Sequence, residues 1–376
     1  MRGPHNILRL IRTGATLERT GAMPVILNAL DAPRTLKFAA RFIVWPFQFL
    51  GRRGDQSLPP APRALTAMGP AYIKFGQILS TRPDVVGPEL AEQLRVLQDR
   101  LPPFSTDVAK QSFKSEIGLD ADDVFSDFSE PVAAASIAQV HRGELKDTGQ
   151  SVAIKVLRPE IERAFQKDLD TFYFAARLVE FVSPKSRRLR PMDVIAHFDG
   201  VVRGELDLRL ESASASEFLA NIKEDKGFSV PSVNWSLSSR RVMTLDWADG
   251  VPMGDVDALA AAGHNLSELG DRVLHMFLNH ALRDGFFHAD MHQGNLKVSS
   301  SGDIVAFDFG IMGHIDEYTR RVYAEILFGF IKRDYKRVAQ VHFEAGYVPQ
   351  DQDVDEFARA LRCLLYTSPS PRDNTT

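Results

Sequence analysis

The sequence predicts an α+β protein of two lobes, a small lobe of mixed strands and helices and then a mainly helical large lobe, with a helical extension in front. Three patterns predict this. Alternating strand patterns run from about 129 to 157 and recur near 229–233 and 241–247. Long helical patterns cover about 160–182 and 191–222. After about 255 the pattern is mainly helical, apart from one stretch that begins at His288.

These patterns divide the chain into five parts. Residues 51–63, "GRRGDQSLPPAPR", have no apolar period and predict a linker. The predicted parts are an N-terminal helical segment with its linker (1–63), a helical extension (64–128), the small lobe (129–248), the large lobe (249–362) and a tail (363–376).

Composition limits the class of protein. Hydrophobic residues make up 44% and charged residues 25%, as in ordinary globular proteins. The net charge of −4 leaves no basic surplus, so no nucleic-acid partner is expected. A single cysteine, Cys363, excludes a disulfide framework and fits a reducing compartment. Pro24 and Pro33 interrupt the basic N-terminus, and we expect no signal peptide.

No stretch reaches the roughly 18–20 apolar residues that a membrane span needs. The nearest one, "FAARFIVWPFQFL", runs from Phe38 to Leu50 and has Lys37, Arg52 and Arg53 at its flanks. Two interpretations remain open for it. It could be a helix that faces the core, or one that lies on a membrane surface with its aromatic side chains inward and its basic flanks toward anionic lipid.

The extension contains a second helical pattern. Leu90, Leu94, Leu97 and Leu101 fall on one face of a helix. Pro102 follows directly and is expected to end that helix.

The stretch "HADMHQGNLKVSSSGDIVAFDFG" carries the chemistry of phosphoryl transfer. Asp290 and Asn295 have the spacing of the kinase catalytic-loop pattern H-R-D-x-x-x-x-N. Asp308-Phe309-Gly310 follows the strand pattern "DIVAF". We predict that Asn295 and Asp308 hold Mg²⁺ and that Asp290 is the positioned base.

His288 and His292 also allow a zinc site, because they lie four residues apart on either side of Asp290. That interpretation lacks a third ligand in a suitable pattern, and Gly294 argues against a continuous helix. We therefore expect His288 to occupy the place of the kinase loop histidine and to orient the backbone.

"VAIK" places Lys155 on a strand against apolar neighbours, so its ammonium needs an anionic partner. We predict that a phosphate and Glu205 are these anionic partners. Asp207 and Glu211 are expected to share a helical face and to meet a different cation. The alternative is that Arg203 and Arg209 satisfy these acids locally.

Several motifs occur together in one order. They are "KFGQ" (Lys74 to Gln77), "AAASIAQVHRG" (Ala133 to Gly143), "ELD" (Glu205 to Asp207), "HADMHQGN" and "DFG". With them the chain resembles, over about residues 64–345, the UbiB family of atypical kinases associated with ubiquinone biosynthesis. One departure is "RLESAS", where many members have R-E-A-x-N, although Glu211 is retained.

The resemblance implies a protein-kinase-like fold that is inhibited. It implies ATP and Mg²⁺ as cofactors, with Lys155, Asp290 and Glu205 in catalysis. Regulatory roles fall to Lys74, Gly76, Gln77, Asp207 and Glu211. The nucleotide loop would contain Ala133, Ala134, Ala135 and Ser136. Each alanine restricts positive φ and adds a methyl group, so such a loop cannot approach a triphosphate as closely as a glycine-rich loop.

Members of this family are similar to ATPases that support a lipid-quinone pathway, rather than to kinases that phosphorylate proteins in trans. The implied partners are ATP, a membrane lipid or quinone precursor, and quinone-biosynthesis proteins. The implied location is the cytoplasmic face of the bacterial inner membrane, with anchoring by C-terminal segments absent from this chain. Lys74 could be the cation that the Asp207 and Glu211 face requires, so we predict a salt bridge between these segments.

The tail "CLLYTSPSPRDNTT" has no helical or strand period. It resembles translated sequencing-adaptor read-through, and we expect the authentic sequence to stop near Arg362.

Two other functions remain. One is a small-molecule phosphotransferase of the aminoglycoside-kinase type, which the K-x-G-Q motif argues against because it would obstruct an acceptor pocket. The other is a scaffold that binds nucleotide or lipid without turnover. The intact set of Lys155, Asp290, Asn295 and Asp308 argues against it.

Overall fold

The computed structural model describes residues 5–29, 34–98, 102–182 and 190–367. The chain forms two compact units, the first from residues 1–213 and 233–247 and the second from 214–232 and 248–376. The second unit therefore begins one residue before the predicted boundary at 249 and also takes 214–232, which the sequence assigned to the small lobe. The mixed helix and strand content confirms the predicted α+β class.

Helices precede the first strand. They are α1 (His5–Arg19), α2 (Ala22–Ala29), α3 (Arg34–Val44), α4 (Pro60–Met68), α5 (Pro70–Ser80), α6 (Pro83–Val86), α7 (Pro88–Leu94), α8 (Thr106–Ile117) and α9 (Ala121–Val124). Four successive helices, α4 to α7, begin with proline, whose fixed φ suits the first helical turn and whose missing N–H costs nothing there. The predicted linker is consequently shorter than 51–63, because its last four residues already belong to α4.

The predicted leucine face is buried for the residues that the structure describes. Leu90, Leu94 and Leu97 are 5%, 2% and 5% exposed. Helix α7 ends at Leu94 and continues as a 3-10 helix over Arg95–Gln98. Leu101 lies outside the described residues.

The aromatic stretch from Phe38 to Leu50 does not face a core. It forms the end of α3 and a 3-10 helix, Trp45–Leu50. Phe38, Phe42, Trp45 and Phe49 are 74%, 69%, 68% and 74% exposed. The core-facing interpretation is therefore wrong for these side chains. Within the described ranges, no helix is both long and apolar enough to cross a bilayer.

The first unit contains a four-stranded antiparallel sheet in the order β1-β2-β3-β5. Its strands are β1 (Phe125–Ala134), β2 (Ala138–Leu145), β3 (Ser151–Leu157) and β5 (Val242–Asp246). Strand β3 is internal, and its alternation buries Val152, Ile154 and Val156 at 1% exposure or less, as the sequence pattern indicates. Pro131 is tolerated because β1 is an edge strand with irregular register.

Helix α10 (Ile161–Val182) follows the sheet. The long helix predicted over 191–222 is two helices, α11 (Pro191–Glu205) and α12 (Leu208–Asn221). This interruption separates the acidic residues that the sequence placed on one helix.

The second unit has two small sheets. Their orders are β4-β9-β8-β6 and β10-β7. The strands are β4 (Phe228–Ser229), β6 (Val251–Pro252), β7 (Phe286–His288), β8 (Leu296–Val298), β9 (Ile304–Ala306) and β10 (Met312–His314). The strand predicted near 229–233 is thus β4, which pairs in parallel with β9 in this unit.

Helices make up the rest of the second unit. They are α13 (Val256–Ala261), α14 (Leu266–Asn279), α15 (Glu317–Lys332), α16 (Tyr335–Glu344) and α17 (Val354–Thr367), with a π-helical turn at His280–Asp284. Because α17 runs to Thr367, the expectation that the tail has no helical structure is wrong for 363–367. Residues 368–376 lie outside the described residues.

Candidate functional site

Lys155 of β3 binds Glu211 of α12. Its Nζ lies 2.6 Å from Glu211 Oε1 and 2.8 Å from Oε2. The two side chains are 18% and 10% exposed. Lys155 pairs with Val140 of β2 on one side and with Met243 of β5 on the other. The sheet therefore fixes the lysine, and the glutamate fixes the direction of its ammonium group.

The predicted partners are exchanged. Glu205 was expected to bind Lys155, but Glu205 Oε1 lies 2.5 Å from Nζ of Lys74. The predicted contact between the K-x-G-Q helix and the helix of the E-x-D motif is confirmed. Asp207 and Glu211 were predicted as the partners of Lys74, and that assignment was wrong.

The physical reason is the break between α11 and α12. The Leu208 N–H donates to the Arg240 carbonyl at 2.9 Å and leaves the helical ladder. Asp207 Oδ1 accepts from the Arg209 N–H at 3.2 Å, as an N-cap residue does. Glu205 and Glu211 therefore lie on different helices, and the face assumed for Asp207 and Glu211 does not exist.

Asp207 is satisfied locally. Its carboxylate accepts from Arg209 Nε at 2.9 Å and from Nη2 at 2.6 Å. This guanidinium lowers the pKa of the Asp207 carboxyl. The local alternative is thus correct for Asp207 and Arg209, whereas Arg203 pairs with Asp199 instead.

The rest of the K-x-G-Q motif packs against the 3-10 helix that follows α7. The Gln77 side chain donates to the Leu97 carbonyl at 2.8 Å. Gly76 allows the close approach, because a Cβ there would lie 2.5 Å from Leu97 Cδ1 and 2.6 Å from Leu65 Cδ1. Lys74, Gly76 and Gln77 therefore each have a distinct contact within the first unit.

The alanine-rich stretch forms the hairpin between β1 and β2. Ala133 and Ala134 still belong to β1, where they pair with Val140 and Gln139, so the turn itself is only 135–137. The Ala135 N–H closes it by donating to the Ala138 carbonyl at 2.8 Å. No residue of this turn has positive φ. The argument that alanine strains the loop through positive φ therefore does not hold for this conformation.

Two side chains hold the ends of this hairpin. Arg158 donates from Nε and Nη2 to the Ala135 carbonyl at 3.1 and 3.0 Å. Gln139, with 0% exposure, binds both main-chain groups of Phe104.

The residues of the predicted catalytic loop lie in the second unit. The Asp290 N–H donates to Nδ1 of His288, which is 2% exposed, at 3.1 Å. This contact fits the predicted backbone-orienting role of His288. Burial lowers the pKa of His288, which favours the neutral imidazole that can accept this bond. The Asn295 side-chain N–H group donates to the Asp290 carbonyl at 3.0 Å and closes the loop.

Asn295 and Asp308 flank one β-hairpin. Asn295 directly precedes β8, and Asp308 follows β9 by two residues. Leu296 pairs with Ala306, and the Phe307 N–H donates to the Asn295 carbonyl at 3.3 Å. The hydrogen bond from Nδ2 of Asn295 to the Asp290 carbonyl fixes the orientation of the amide group, and its Oδ1 is the atom that could bind a metal ion. Carboxylate and amide oxygens are hard ligands of the kind that Mg²⁺ prefers, so this donor set fits magnesium.

The zinc alternative finds no support in the geometry. Nδ1 of both histidines accepts main-chain N–H groups, from Asp290 for His288 and from Gly294 for His292. Among the described residues, no group of three or more His, Cys, Asp and Glu side chains could hold a metal.

Sequence reasoning assigned Glu211 to regulation and missed it as the partner of Lys155. The signal was present, since Gly204 followed by Asp207 ahead of an apolar residue predicts a helix end and a new N-cap. The contacts of Arg158 and of Gln139 with Phe104 were also missed, because the partner atoms are main-chain groups, which no residue pattern reveals.

The comparison with protein families identifies the class. Residues 96–342 match the ABC1 atypical kinase-like domain. The chain belongs to this family, and the predicted resemblance to UbiB-type atypical kinases is confirmed.

Curated relatives lie within the same group. Proteins called "Probable protein kinase UbiB" are 41% identical over 344 residues in Aeromonas salmonicida, 40% over 306 in Marinobacter nauticus and 40% over 336 in Klebsiella pneumoniae. The matches cover 87%, 80% and 88% of this chain. They cover 62%, 56% and 61% of those relatives, so the chain spans about three fifths of their length.

A solved structure has a related fold. It is a complex of Rv3197 with erythromycin from Mycobacterium tuberculosis, which matches with a TM-score of 0.55 and 25% identity. The match covers 78% of this chain and 74% of that one.

Proposed function

We propose that this protein is an Mg-ATP-dependent atypical kinase-like ATPase that supports ubiquinone biosynthesis at a bacterial membrane. The observation that carries the proposal is the buried ion pair between Lys155 and Glu211, beside a β-hairpin in the first unit. A lysine on an internal strand that is aligned by a helical glutamate is the phosphate-binding arrangement of kinases.

Each residue then has a role. Lys155 binds the α- and β-phosphates, and Glu211, rather than Glu205, orients it. Asn295 and Asp308 would hold Mg²⁺, which neutralises charge on the phosphates when it is bound. Asp290 is the base that positions the attacking hydroxyl group or water, and His288 holds its backbone. The turn at Ala135 and Ser136 binds the nucleotide.

Protein phosphorylation in trans is not part of the proposal. The K-x-G-Q segment is bound by its own buried ion pair to the helix that precedes Glu211. A tethered extension of this kind favours ATP hydrolysis or a small acceptor over a docked protein chain. We infer that the further partners are a membrane lipid or quinone precursor and the proteins of quinone biosynthesis.

Thermal unfolding with Mg-ATP tests the metal assignment. A ligand that binds only the folded state raises its stability, by about 2.7 kcal/mol at 100 times Kd. We expect Asp308→Asn to lose this Mg-dependent rise while it unfolds near the wild-type temperature without ligand. Asp303→Asn, in the same β8–β9 hairpin, is the matched control and should keep the rise. An Asp308→Asn shift equal to that of the wild type would remove Asp308 from the metal site.

The exposed aromatic stretch supports the membrane part of the proposal. Phe38 and Phe42 lie on successive turns of α3 with ring centroids 6.3 Å apart, and Trp45 follows them. Arg34 and Arg53 are exposed near the two ends of the stretch. Aromatic side chains between basic residues suit the interface of an anionic bilayer. We infer that the protein acts at the cytoplasmic face of the inner membrane.

Tryptophan fluorescence tests this surface directly. Vesicles with anionic lipid should shift the emission of Trp45 to shorter wavelength, and a Trp45→Phe variant gives the background of Trp235 and Trp247. The double substitution Phe38→Ser with Phe42→Ser should abolish vesicle binding. Phe181→Ser should not, although the Phe181 side chain is also exposed, at 83%. Vesicle binding that survives the double substitution would assign the membrane contact to another surface.

A further inference from the structure

Arg158 lies just beyond β3 and reaches two other segments of the first unit. Its Nε and Nη2 atoms donate to the Ala135 carbonyl at 3.1 and 3.0 Å, and Nη1 donates to the Pro102 carbonyl at 3.0 Å. Its own main-chain N–H donates to the Ile137 carbonyl at 2.8 Å. One residue therefore holds both ends of the turn 135–137 and the chain segment that leads into α8.

The charged guanidinium group of Arg158 forms its side-chain hydrogen bonds with these carbonyl groups. In the described part of the chain, no carboxylate lies within 4 Å of its guanidinium, which is partly buried and 5.8 Å from the Phe104 ring centroid. Burial lowers the pKa of Arg158, as expected for a cation without an acidic partner. Such a cation is costly to bury, so its hydrogen bonds must offset the lost hydration.

The segment that Arg158 reaches is itself fixed to the sheet. Gln139 accepts from the Phe104 N–H at 2.9 Å and donates to the Phe104 carbonyl at 3.1 Å. Gln139 also lies 2.8 Å from Nε2 of the buried His141. Residues 102–104 are therefore held against the sheet. Because Arg158 bonds to both Pro102 and Ala135, it links the turn to this fixed segment.

We propose that Arg158 is a positioning residue that holds the alanine-rich turn in the conformation that binds the phosphates of ATP, and that it ties this turn to segment 102–104. The proposal rests on the proposed function, in which this turn contacts the nucleotide. A carbonyl oxygen that turned toward a phosphate would repel it. The guanidinium prevents this by engaging the Ala135 carbonyl with two charge-assisted bonds.

Two measurements on the whole chain test the proposal. Amide hydrogen exchange without nucleotide measures how firmly the turn is held. Steady-state kinetics measures whether the held turn contributes to ATP binding. In Arg158→Gln we expect faster exchange at 133–138, with β3 and β5 unchanged. We also expect a rise of about ten-fold in KM for ATP, equivalent to about one lost charge-assisted bond, with kcat within about two-fold. Arg158→Lys retains the charge but not the fork, so it should fall between wild type and Arg158→Gln.

Arg142→Gln is the matched control. Arg142 lies on β2, donates to Ser151 Oγ at 3.1 Å and stacks 5.2 Å from the Trp247 ring centroid, but it does not contact the turn. It should change neither measurement. A merely structural role for Arg158 would lower kcat and stability together and leave KM in place, which would overturn the proposal.

The outcomes separate this proposal from the proposed function. Unchanged exchange in the turn of Arg158→Gln would show that Arg158 does not hold it. Faster exchange with an unchanged KM would show that the held turn does not serve the nucleotide, and that also overturns the proposal. A wild-type protein that neither binds nor hydrolyses Mg-ATP would overturn the proposed function, while the exchange result still decides whether Arg158 holds the turn.

Discussion

Two lysine–glutamate pairs in the first unit are nearly identical in separation and in exposure. Lys74 and Glu205 are 2.5 Å apart with side chains 17% and 10% exposed, and Lys155 and Glu211 are 2.6 Å apart with side chains 18% and 10% exposed. They differ in the backbone that carries them. Lys155 sits on an internal strand that is paired on both sides, whereas Lys74 sits on a helix of the N-terminal extension.

Because the two pairs are alike in burial and distance, any difference in their roles must come from the backbone that carries them. The sheet would keep the Lys155 backbone in place without Glu211. Lys74 joins two segments, but Phe75, its neighbour, also packs on Phe172 of α10 and Phe198 of α11, with ring centroids 5.3 and 5.2 Å away. We therefore expect the first pair to control chemistry and the second to control stability.

The largest expected effect is at Lys155. Lys155→Met removes the cation that we propose binds the phosphates, so we expect ATP turnover to fall by about 10²–10³-fold. Steady-state hydrolysis with Mg-ATP measures this, and circular dichroism shows that the protein remains folded. Lys167→Met, at an exposed position on α10, is the control. Turnover that stayed near the wild-type rate would place the phosphates elsewhere.

The next effect is at Lys74. Lys74→Ala leaves Glu205 buried, where its Oε2 has no hydrogen-bond partner among the described residues. We expect a loss of about 3 kcal/mol in the free energy of unfolding, the lower end for breaking a buried pair, because the aromatic contacts of Phe75 remain. Urea unfolding measures it.

The exchanged pair Lys74→Glu with Glu205→Lys should recover part of that loss, which separates charge pairing from packing. The KM for ATP should change little in Lys74→Ala. A variant that lost nucleotide binding but kept its stability would reverse the roles assigned to the two pairs.

Asp168 provides a contrast to the two buried ion pairs. In the described part of the chain, this acid has no ion-pair partner within 4 Å. Burial raises its pKa from 3.8 to about 6, although Arg9 and Arg52 oppose the change. The folded state therefore binds the proton more tightly than the unfolded state. The stability from this group is complete below about pH 4 and is lost as the pH rises through about 6.

Asp168→Asn should therefore stabilise the protein at pH 7, by about 2 kcal/mol, and the difference should vanish below about pH 4. Urea unfolding across this pH range measures it, with Asp170→Asn on the same helix as control. A variant that is less stable than wild type at pH 7 would mean that attraction to the arginines outweighs burial.

The smallest effect is expected at the hairpin turn. Ala135→Gly removes a methyl group, but the turn does not require positive φ, so the gain in nucleotide affinity should be small, about two- to three-fold. Nucleotide titration measures it, and Ala133→Gly, within β1, is the control. A change of more than ten-fold would mean that the turn adopts another conformation when nucleotide binds.

Much of this molecule follows from local patterns. The strand of Lys155 was predicted from its alternation, and the buried face of Leu90, Leu94 and Leu97 from helical spacing. The segment from Asp290 to Asp308 was located from its motif order. These features depend on neighbours in the sequence, so local rules suffice.

The pairing of charges could be predicted only in part, because the sequence indicates a helix end near Gly204 and a new N-cap at Asp207 but not which lysine each glutamate binds. It depends on a helix break that a hydrogen bond from Leu208 to the distant Arg240 stabilises. The exposure of Phe38 and Trp45 was equally undetermined, because an amphipathic pattern shows which side chains are apolar but not what covers them. The turn of Ala135 is held through main-chain carbonyl groups, which no residue type reveals.

The interruption between α11 and α12 has a mechanical consequence. On one continuous helix, Glu205 and Glu211 would be rigidly coupled and would point about two thirds of a turn apart. The Leu206 N–H still donates to the Val202 carbonyl, but Leu206 and Asp207 lie between the two helices, so each glutamate belongs to a separate helix. We therefore expect a displacement of α5 that pulls on Glu205 to be absorbed in the φ and ψ angles of Leu206 and Asp207, with little effect on the alignment of Lys155 by Glu211.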